Sequence, residues 1–308
     1  MKKEKVNRSP LFYVGDKYKL IKEIKEYFPA FINRFFEPFV GGGSVFLNIN
    51  ANEYFLNDID THVIELHKFL CSYADRTDEF FNIIFSLIDK YKLSCSYKKD
   101  IVPEELKRQY KKTYYSRFNK ANYTQLKDLY NKSSERNVAE LYVMLIYGFN
   151  RILRFNNKGE FNLPVGNVDF NKNVYDALCC YFETNRMRHI HWSSLDFRDF
   201  FSTVNWKEDD FVYLDPPYLI TFSEYNKYWN KQTESDLLAY IDDLNFKNIK
   251  FAVSNVTHYK GKENTLFLKW AEKYNVHSIS SNYISYHDNT IKDFKEVLVT
   301  NYINEEEE

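Results

Sequence analysis

FFEPFVGGGSVFLNINANEYFLND, residues Phe35 to Asp58, decides the fold. The apolar run Phe35–Val40 reads as a strand and ends in Gly41-Gly42-Gly43. Ser44–Asn48 then reads as a helix start, and Glu53–Asp58 as a second strand ending in an acid. His62–Leu70 follows, with Val63, Leu66, Phe69 and Leu70 at helical spacing. A strand, a glycine turn, a helix, and a strand closed by an acid belong to open α/β sheets, which bind ligands at the carboxyl ends of their strands. Glycines there let the backbone approach a ligand closely, and an acid at Asp58 suits ribose hydroxyls. The full G-x-G-x-x-G spacing is absent, which favours another nucleoside-bearing cofactor over a dinucleotide.

Further along, strand signals recur at His189–Ser193, Phe211–Asp215, Ile249–Asn255, Val276–Ser280 and Glu296–Tyr302. ESDLLAYIDDL and ENTLFLKWAEKY between them read as helices. Cys71 to Asn185 is different: strand signals fade and helical patterns rich in Lys, Tyr and Phe take over, as in LKRQYKKTYYSRFNK (Leu106–Lys120), which reads as one helix. Within that stretch RILRFNNKGEFNLPVG reads as a hairpin turning at Asn157-Lys158-Gly159. The expectation is an α/β sheet interrupted by a mostly helical insert.

Bulk properties exclude several classes. The chain has 308 residues, a formal net charge of −1 and 19% aromatics, so it has no global basic character. Charge is uneven, however: Lys90 to Lys120 holds ten basic residues against Asp100, Glu104 and Glu105, while Glu305–Glu308 are acidic. Such a stripe suits phosphates or a solvated helix face. Cys71, Cys95, Cys179 and Cys180 form no C-x-x-C pair, and the seven histidines have no metal-ligand spacing. No metal is expected. MKKEKVNRSP is not followed by an apolar signal core, and no apolar run reaches the length of a membrane span. The expected setting is cytoplasmic and reduced, with no membrane association.

The chemistry centres on Asp215-Pro216-Pro217-Tyr218, at the end of a strand. Prolines after a strand can be mere punctuation. The same four residues also fit a specific task. An adenine amine has two N–H donors and a lone pair delocalised into the ring. Making it nucleophilic takes acceptors for both hydrogens: a carboxylate and a rigid proline carbonyl supply them, and an aromatic ring supplies a stacking face. Chemistry on a base requires that it leave the duplex, so acceptors beside a stacking platform make sense.

In these motifs the chain resembles the DNA adenine methylase (Dam) family of S-adenosylmethionine-dependent methyltransferases, over nearly its full length. The motif order agrees: cofactor motif, recognition insert, then DPPY. FYVGDKYKL matches the family's Lys-Trp-x-Gly-Gly-Lys segment, with Tyr13 in the aromatic place and Lys17 in that of the cofactor-binding lysine. Glu37–Phe46 matches EPFVGxGSVF, which implies cofactor contacts for Phe39, Gly41 and Gly43. NDID gives Asp58 the ribose role, and Asp215 would meet both the cofactor and the target amine. FNRILRFNNKGEFNLPVG carries Asn150, Ile152, Arg154 and Pro164 onto DNA-contacting positions, and YYSRFN adds Arg117. Arg suits bidentate contact with guanine.

The resemblance implies a Rossmann-like methyltransferase sheet with helices on both faces. Residues 1–70 and 186–308 would form the catalytic domain, and 71–185 a helical DNA-recognition domain containing the hairpin. It implies methylation of the exocyclic amine of a flipped adenine in double-stranded DNA, at GATC or a related short site. A restriction-modification or regulatory role would follow, the former with a cognate restriction endonuclease. Two departures stand out: Asp16 where a second glycine is usual, and Phe12 where the Dam branch has a lysine that helps read the outer guanine. Other readings are methylation of RNA or of a protein amide, and a catalytically silent DNA-binding protein. The absence of a Pro-Cys pair removes cytosine ring-carbon methylation. Tyr225, Tyr228 and Trp229, in the loop 219–230, would close over a flipped base or pack as a lid, and Ser254-Asn255 would end a strand at the ligand edge.

Overall fold

A computed structural model describes residues 6–99, 101–221, 229–279 and 294–303. In chain order, the elements begin with α1 (Ile21–Glu26), β1 (Arg34–Glu37) and β2 (Glu53–Asn57). Six helices follow: α2 (Thr61–Ser72), α3 (Thr77–Lys90), α4 (Glu104–Gln109), α5 (Tyr114–Lys132), α6 (Val138–Tyr147) and α7 (Lys172–Asn185). Then come β3 (His189–Ser193), α8 (Phe197–Thr203), β4 (Asp210–Leu214), α9 (Lys231–Phe246) and β5 (Lys250–Tyr259). The chain closes with β6 (Lys262–Glu263), α10 (Thr265–Ala271), β7 (Asn275–Ile279) and β8 (Phe294–Thr300). Ser44–Asn48 yields only a short 3-10 turn at Phe46–Asn48. The long helix expected over Leu106–Lys120 is broken into α4 and α5.

By its internal contacts the chain forms two compact units. One comprises 1–16, 41–47 and 60–187; the other 17–40, 48–59 and 188–308.

The second unit holds the sheet, in the order β3-β2-β1-β4-β5-β8-β7, with β6 paired to β5. β3, β2, β1, β4 and β5 run parallel, whereas β8 lies antiparallel to both β5 and β7. Every residue of β4 is buried, as expected of a central parallel strand covered on both faces. One face packs Phe36, Val212, Leu214, Phe251 and Val299 against Phe197, Leu237, Ile241 and Phe267 from α8, α9 and α10. On the other face Phe28, just after α1, meets Phe211 at 4.9 Å and Tyr213 at 5.4 Å. Each such fully buried side chain contributes about 1.5–3 kcal/mol. Strand order reverses between β1 and β4, and at such a switch point the carboxyl ends of neighbouring strands open a ligand crevice. Asp215 stands at that end of β4.

The first unit is helical. Its α6 is buried on nearly every side, from Leu141 through Tyr147, the pattern of a core helix. Asn side chains cap α6 and α7 (Asn137, Asn171), and Asp60 caps α2; each such cap is worth about 1 kcal/mol. Asn119 of α5 accepts from Ser94 N at 2.8 Å and donates to Ser94 Oγ at 2.9 Å, latching the loop after α3.

Candidate active site

The sheet's site is built on a four-residue cluster. Lys17 Nζ donates to Asp215 Oδ2 at 2.6 Å and to Tyr218 Oη at 2.7 Å. The Tyr218 hydroxyl reaches Asp215 Oδ1 at 2.7 Å and Glu296 Oε1 at 3.2 Å. Glu296 Oε1 lies 3.5 Å from Lys17 Nζ. The side chains of Lys17 and Glu296 are only 5% and 2% exposed, that of Asp215 18%. A buried ammonium requires carboxylate partners, which accounts for the tight Lys17–Asp215 pair. Burial pushes the Glu296 carboxyl above its ordinary value, with Lys17 opposing. Burial, and then the charges of Asp215 and Glu296, hold the Tyr218 hydroxyl well above its usual range. Pro216 is buried and Pro217 half-buried.

Asn57 ties the carboxyl ends of the neighbouring strands together. Its Nδ2 donates to Pro38 O at 3.1 Å and Leu195 O at 2.9 Å, and its Oδ1 accepts from Ser193 Oγ at 2.8 Å and Leu195 N at 2.9 Å. This full set of amide bonds, together with the bond from Val40 N to Asn57 O at 2.9 Å, sets the geometry just before Asp58. Asp58 is half-buried, and its carbonyl accepts from Ser194 Oγ at 3.0 Å. Phe39 packs edge-on to Trp229, 5.9 Å between centroids. Trp229 also meets Phe197 and donates its indole N–H to Glu234 at 3.3 Å. Tyr225 and Tyr228 lie outside the described residues. Ser254 and Asn255 do not end a strand. Both are buried inside β5, which runs on to Tyr259 because β8 pairs along that extension. Ser254 Oγ shares a hydrogen bond with Tyr213 at 2.9 Å.

In the helical unit, Tyr13 lies over the glycine turn. A Cβ on Gly42 would fall 2.5 Å from Tyr13 Cβ, so only glycine admits the Tyr13 side chain's first carbon so close. Gly43 has φ +74° and would drive a Cβ into Phe46, so it answers both to backbone conformation and to space. The Gly41 carbonyl is held by His67 Nε2 at 2.9 Å, and His67 Nδ1 meets the Tyr181 hydroxyl at 3.1 Å. A carbonyl can only accept, so Nε2 carries the proton and Nδ1 accepts from Tyr181. Burial lowers His67 to about 4, which keeps the ring neutral. Asp16 accepts from Ser44 Oγ at 3.1 Å.

The hairpin forms as isolated pairings, Phe155 with Phe161 and Gly148 with Val165. Asn131 of α5 braces it, donating to Phe161 O and accepting from Phe161 N, each at 2.8 Å. Asn150 and Arg151 hold φ of 53° and 52°, a conformation uncommon for side chains of their size. Asn150 and Pro164 are exposed, and Ile152 is half-buried. Arg154 donates to Asn162 Oδ1 and Asn162 O, both at 2.8 Å. Arg117, on α5, is exposed with its guanidinium 4.9 Å from the Tyr110 ring centroid. Phe12 has Arg8 at 4.6 Å and Arg151 at 4.0 Å from its ring centroid.

Of the predicted site residues, Lys17, Asp215 and Tyr218 are thus in direct contact, as are Tyr13 and the glycines. Asn150, Ile152, Arg154 and Pro164 share the hairpin, and Arg117 stands apart on α5. Sequence reasoning missed Glu296, Asn57 and His67. Only Glu296 left a signal: an acid opening the otherwise apolar EVLV.

The sheet order, with DPPY at the switch point, is that of a Rossmann-like methyltransferase. Residues 13–285 match the model of the D12 class N6 adenine-specific DNA methyltransferases, and the chain belongs to that S-adenosylmethionine-dependent family. It is 35% identical over 307 residues to the Type II methyltransferase M.FokI of Planomicrobium okeanokoites, covering 96% of this chain and 43% of that protein. With the modification methylase StsI of Streptococcus sanguinis it shares 33% identity over 310 residues, 97% of this chain and 43% of the relative. The DNA adenine methylase of Escherichia coli (strain K12) is 28% identical over 294 residues, 90% of this chain and 91% of the relative. The chain therefore spans less than half the length of the first two. Among the described residues, no helix is long and apolar enough to cross a membrane.

Proposed function

We propose that this chain methylates the exocyclic N6 amine of an adenine flipped out of double-stranded DNA. The observation that carries this reading is the Asp215 carboxylate at the carboxyl end of β4, oriented from both sides by Lys17 and Tyr218. Asp215 accepts one hydrogen of the amine and a carbonyl of the Pro216–Pro217 pair accepts the other. The nitrogen lone pair is thereby freed for in-line attack, and the Tyr218 ring stacks on the base. No covalent enzyme intermediate is needed. The protein's part is orientation and electrostatics.

We assign cofactor binding to Tyr13, Lys17, Phe39, Gly41, Gly43, Asp58 and Asp215. What supports this reading is, in one unit, a glycine turn with the Tyr13 ring beside it and, in the other, the carboxylates Asp58 and Asp215 at strand ends, groups that suit a nucleoside carrying an amino-acid tail. S-adenosylmethionine, when bound, supplies an electrophilic methyl on a sulfonium. We further assign 1–70 and 186–308 to catalysis and 71–185 to target recognition, with Asn150, Ile152, Arg154, Pro164 and Arg117 on the DNA. The two outward-facing hairpin residues and the exposed Arg117 support this assignment. GATC or a related short site is the target. The enzyme acts in the cytoplasm, in a restriction-modification or regulatory system, with a cognate restriction endonuclease in the first case.

The test is purified protein with S-adenosylmethionine labelled in its methyl group, offered duplex DNA and RNA in competition, followed by modification-sensitive sequencing. Methyladenine in one short DNA motif is expected, and Asp215→Ala should abolish it while DNA binding persists. Transfer to RNA alone, or full activity in Asp215→Ala, would sink the assignment.

A further inference from the structure

Glu296 is a buried acid that sheet formation does not call for. On β8 it sits opposite Val256 of β5 and Ile279 of β7 and is followed by buried Val297, Leu298 and Val299. An apolar residue would satisfy both neighbours. Its Oε2 has no hydrogen-bond partner among the described residues. A buried carboxylate oxygen left unpaired is costly and calls for an explanation.

That explanation lies in the state of Asp215. Both of its oxygens are already engaged, Oδ2 by the Lys17 ammonium and Oδ1 by the Tyr218 hydroxyl. These short, charge-assisted bonds draw electron density from the carboxylate that must hold the substrate amine. For Asp215 to turn to that amine, its donors need somewhere to go. Lys17 is buried and cannot hand its charge to water. Glu296 Oε1 lies 3.5 Å from Lys17 Nζ and 3.2 Å from Tyr218 Oη, so one acceptor already faces both donors.

We propose that Glu296 is a positioning residue, a second acceptor to which Lys17 and Tyr218 shift their hydrogen bonds when Asp215 engages the adenine amine. The proposal rests on the adenine-methylation reading above. Glu296 touches neither base nor cofactor: it acts through the two donors, keeping the Lys17 charge compensated while Asp215 is released.

The experiment is single-turnover methylation of duplex DNA at saturating cofactor, comparing wild type with Glu296→Gln, Glu296→Asp, Tyr218→Phe and the Tyr218→Phe/Glu296→Gln double variant. Glu296→Gln keeps the shape and removes the charge. It should slow transfer tenfold or more, with cofactor affinity and the KM for DNA within about threefold of wild type, and Glu296→Asp should recover part of the rate. Because Glu296 acts partly through the Tyr218 hydroxyl, the double variant should lose clearly less than the product of the two single losses. A wild-type rate in Glu296→Gln overturns the proposal and leaves the methylation reading intact. So does a loss that follows cofactor affinity and melting temperature alone, or strictly multiplicative losses in the double variant. If Glu296→Gln does not fold, Glu296→Asp carries the same comparison, and a wild-type rate there with the shortened side chain also overturns the proposal. A wild-type protein that transfers no methyl to adenine defeats the functional reading, and this proposal with it.

Discussion

Lys17 Nζ lies 2.6 Å from Asp215 Oδ2, although 198 positions separate the two residues. The pair joins the segment ahead of α1 to the end of β4. With Lys17 only 5% exposed, its charge is supported by the two carboxylates and not by water.

Removing that charge should therefore be costly. Lys17→Met leaves Asp215 and Glu296 near each other without their shared cation. A broken buried pair typically costs about 3–5 kcal/mol. Urea unfolding of the variant should show a loss of that order, partly recovered in Lys17→Met/Glu296→Gln, where one buried negative charge is also gone.

His67 makes stability depend on pH. Folded, it stays neutral down to about 4; unfolded, it takes up a proton near 6.5. Between these values the unfolded state binds the extra proton, so stability falls as pH falls through that window. The full shift corresponds to about 3 kcal/mol. Urea midpoints measured from pH 7 to pH 4 should decline more steeply for wild type than for His67→Gln. At pH 7 His67→Phe should weaken cofactor binding, because the phenyl ring has no donor for the Gly41 carbonyl.

Asn57→Ala strips four hydrogen bonds from the ends of three strands. Buried partners left unsatisfied cost about 1–3 kcal/mol each, less where water enters. A net loss of about 2–3 kcal/mol is expected in thermal or urea melts. Cofactor affinity, read by calorimetry, should drop with it because Asp58 is the next residue.

Phe12→Lys tests the departure from the Dam pattern. The ring has two guanidiniums over it, Arg8 and Arg151. A lysine would bring a third cation to that place and forfeit contacts worth about 0.5–2 kcal/mol each. Burial already lowers Arg151 to about 10, which marks a site hostile to further positive charge. The variant should melt lower than wild type and should methylate the same motif as wild type in sequencing of DNA from an expressing host.

Much of this could be read along the chain. The glycine turn declared itself because Gly43 needs a left-handed backbone, a local demand, whereas the demand on Gly42 comes from Tyr13, distant along the chain. The strands and α2, α9 and α10 followed from apolar periodicity, which is also local. The misreadings came where a neighbour in space overruled that pattern. Where the helix expected over Leu106–Lys120 breaks at Tyr110–Thr113, Asn167 holds the Lys112 carbonyl and the Ser116 N–H, and β5 runs past Asn255 because β8 pairs beside it.

By itself the sequence determined the α/β class, the order of the motifs, and the residue types at the end of β4, since each depends on contacts a few residues long. Only the tertiary structure decided that Lys17, Asp215, Tyr218 and Glu296 form one cluster, and that His67 holds the glycine turn. Whether β8 enters the sheet beside β5, and in which register, is set by strand pairing over long separations. A one-residue slip in that register would turn Glu296 to the opposite face.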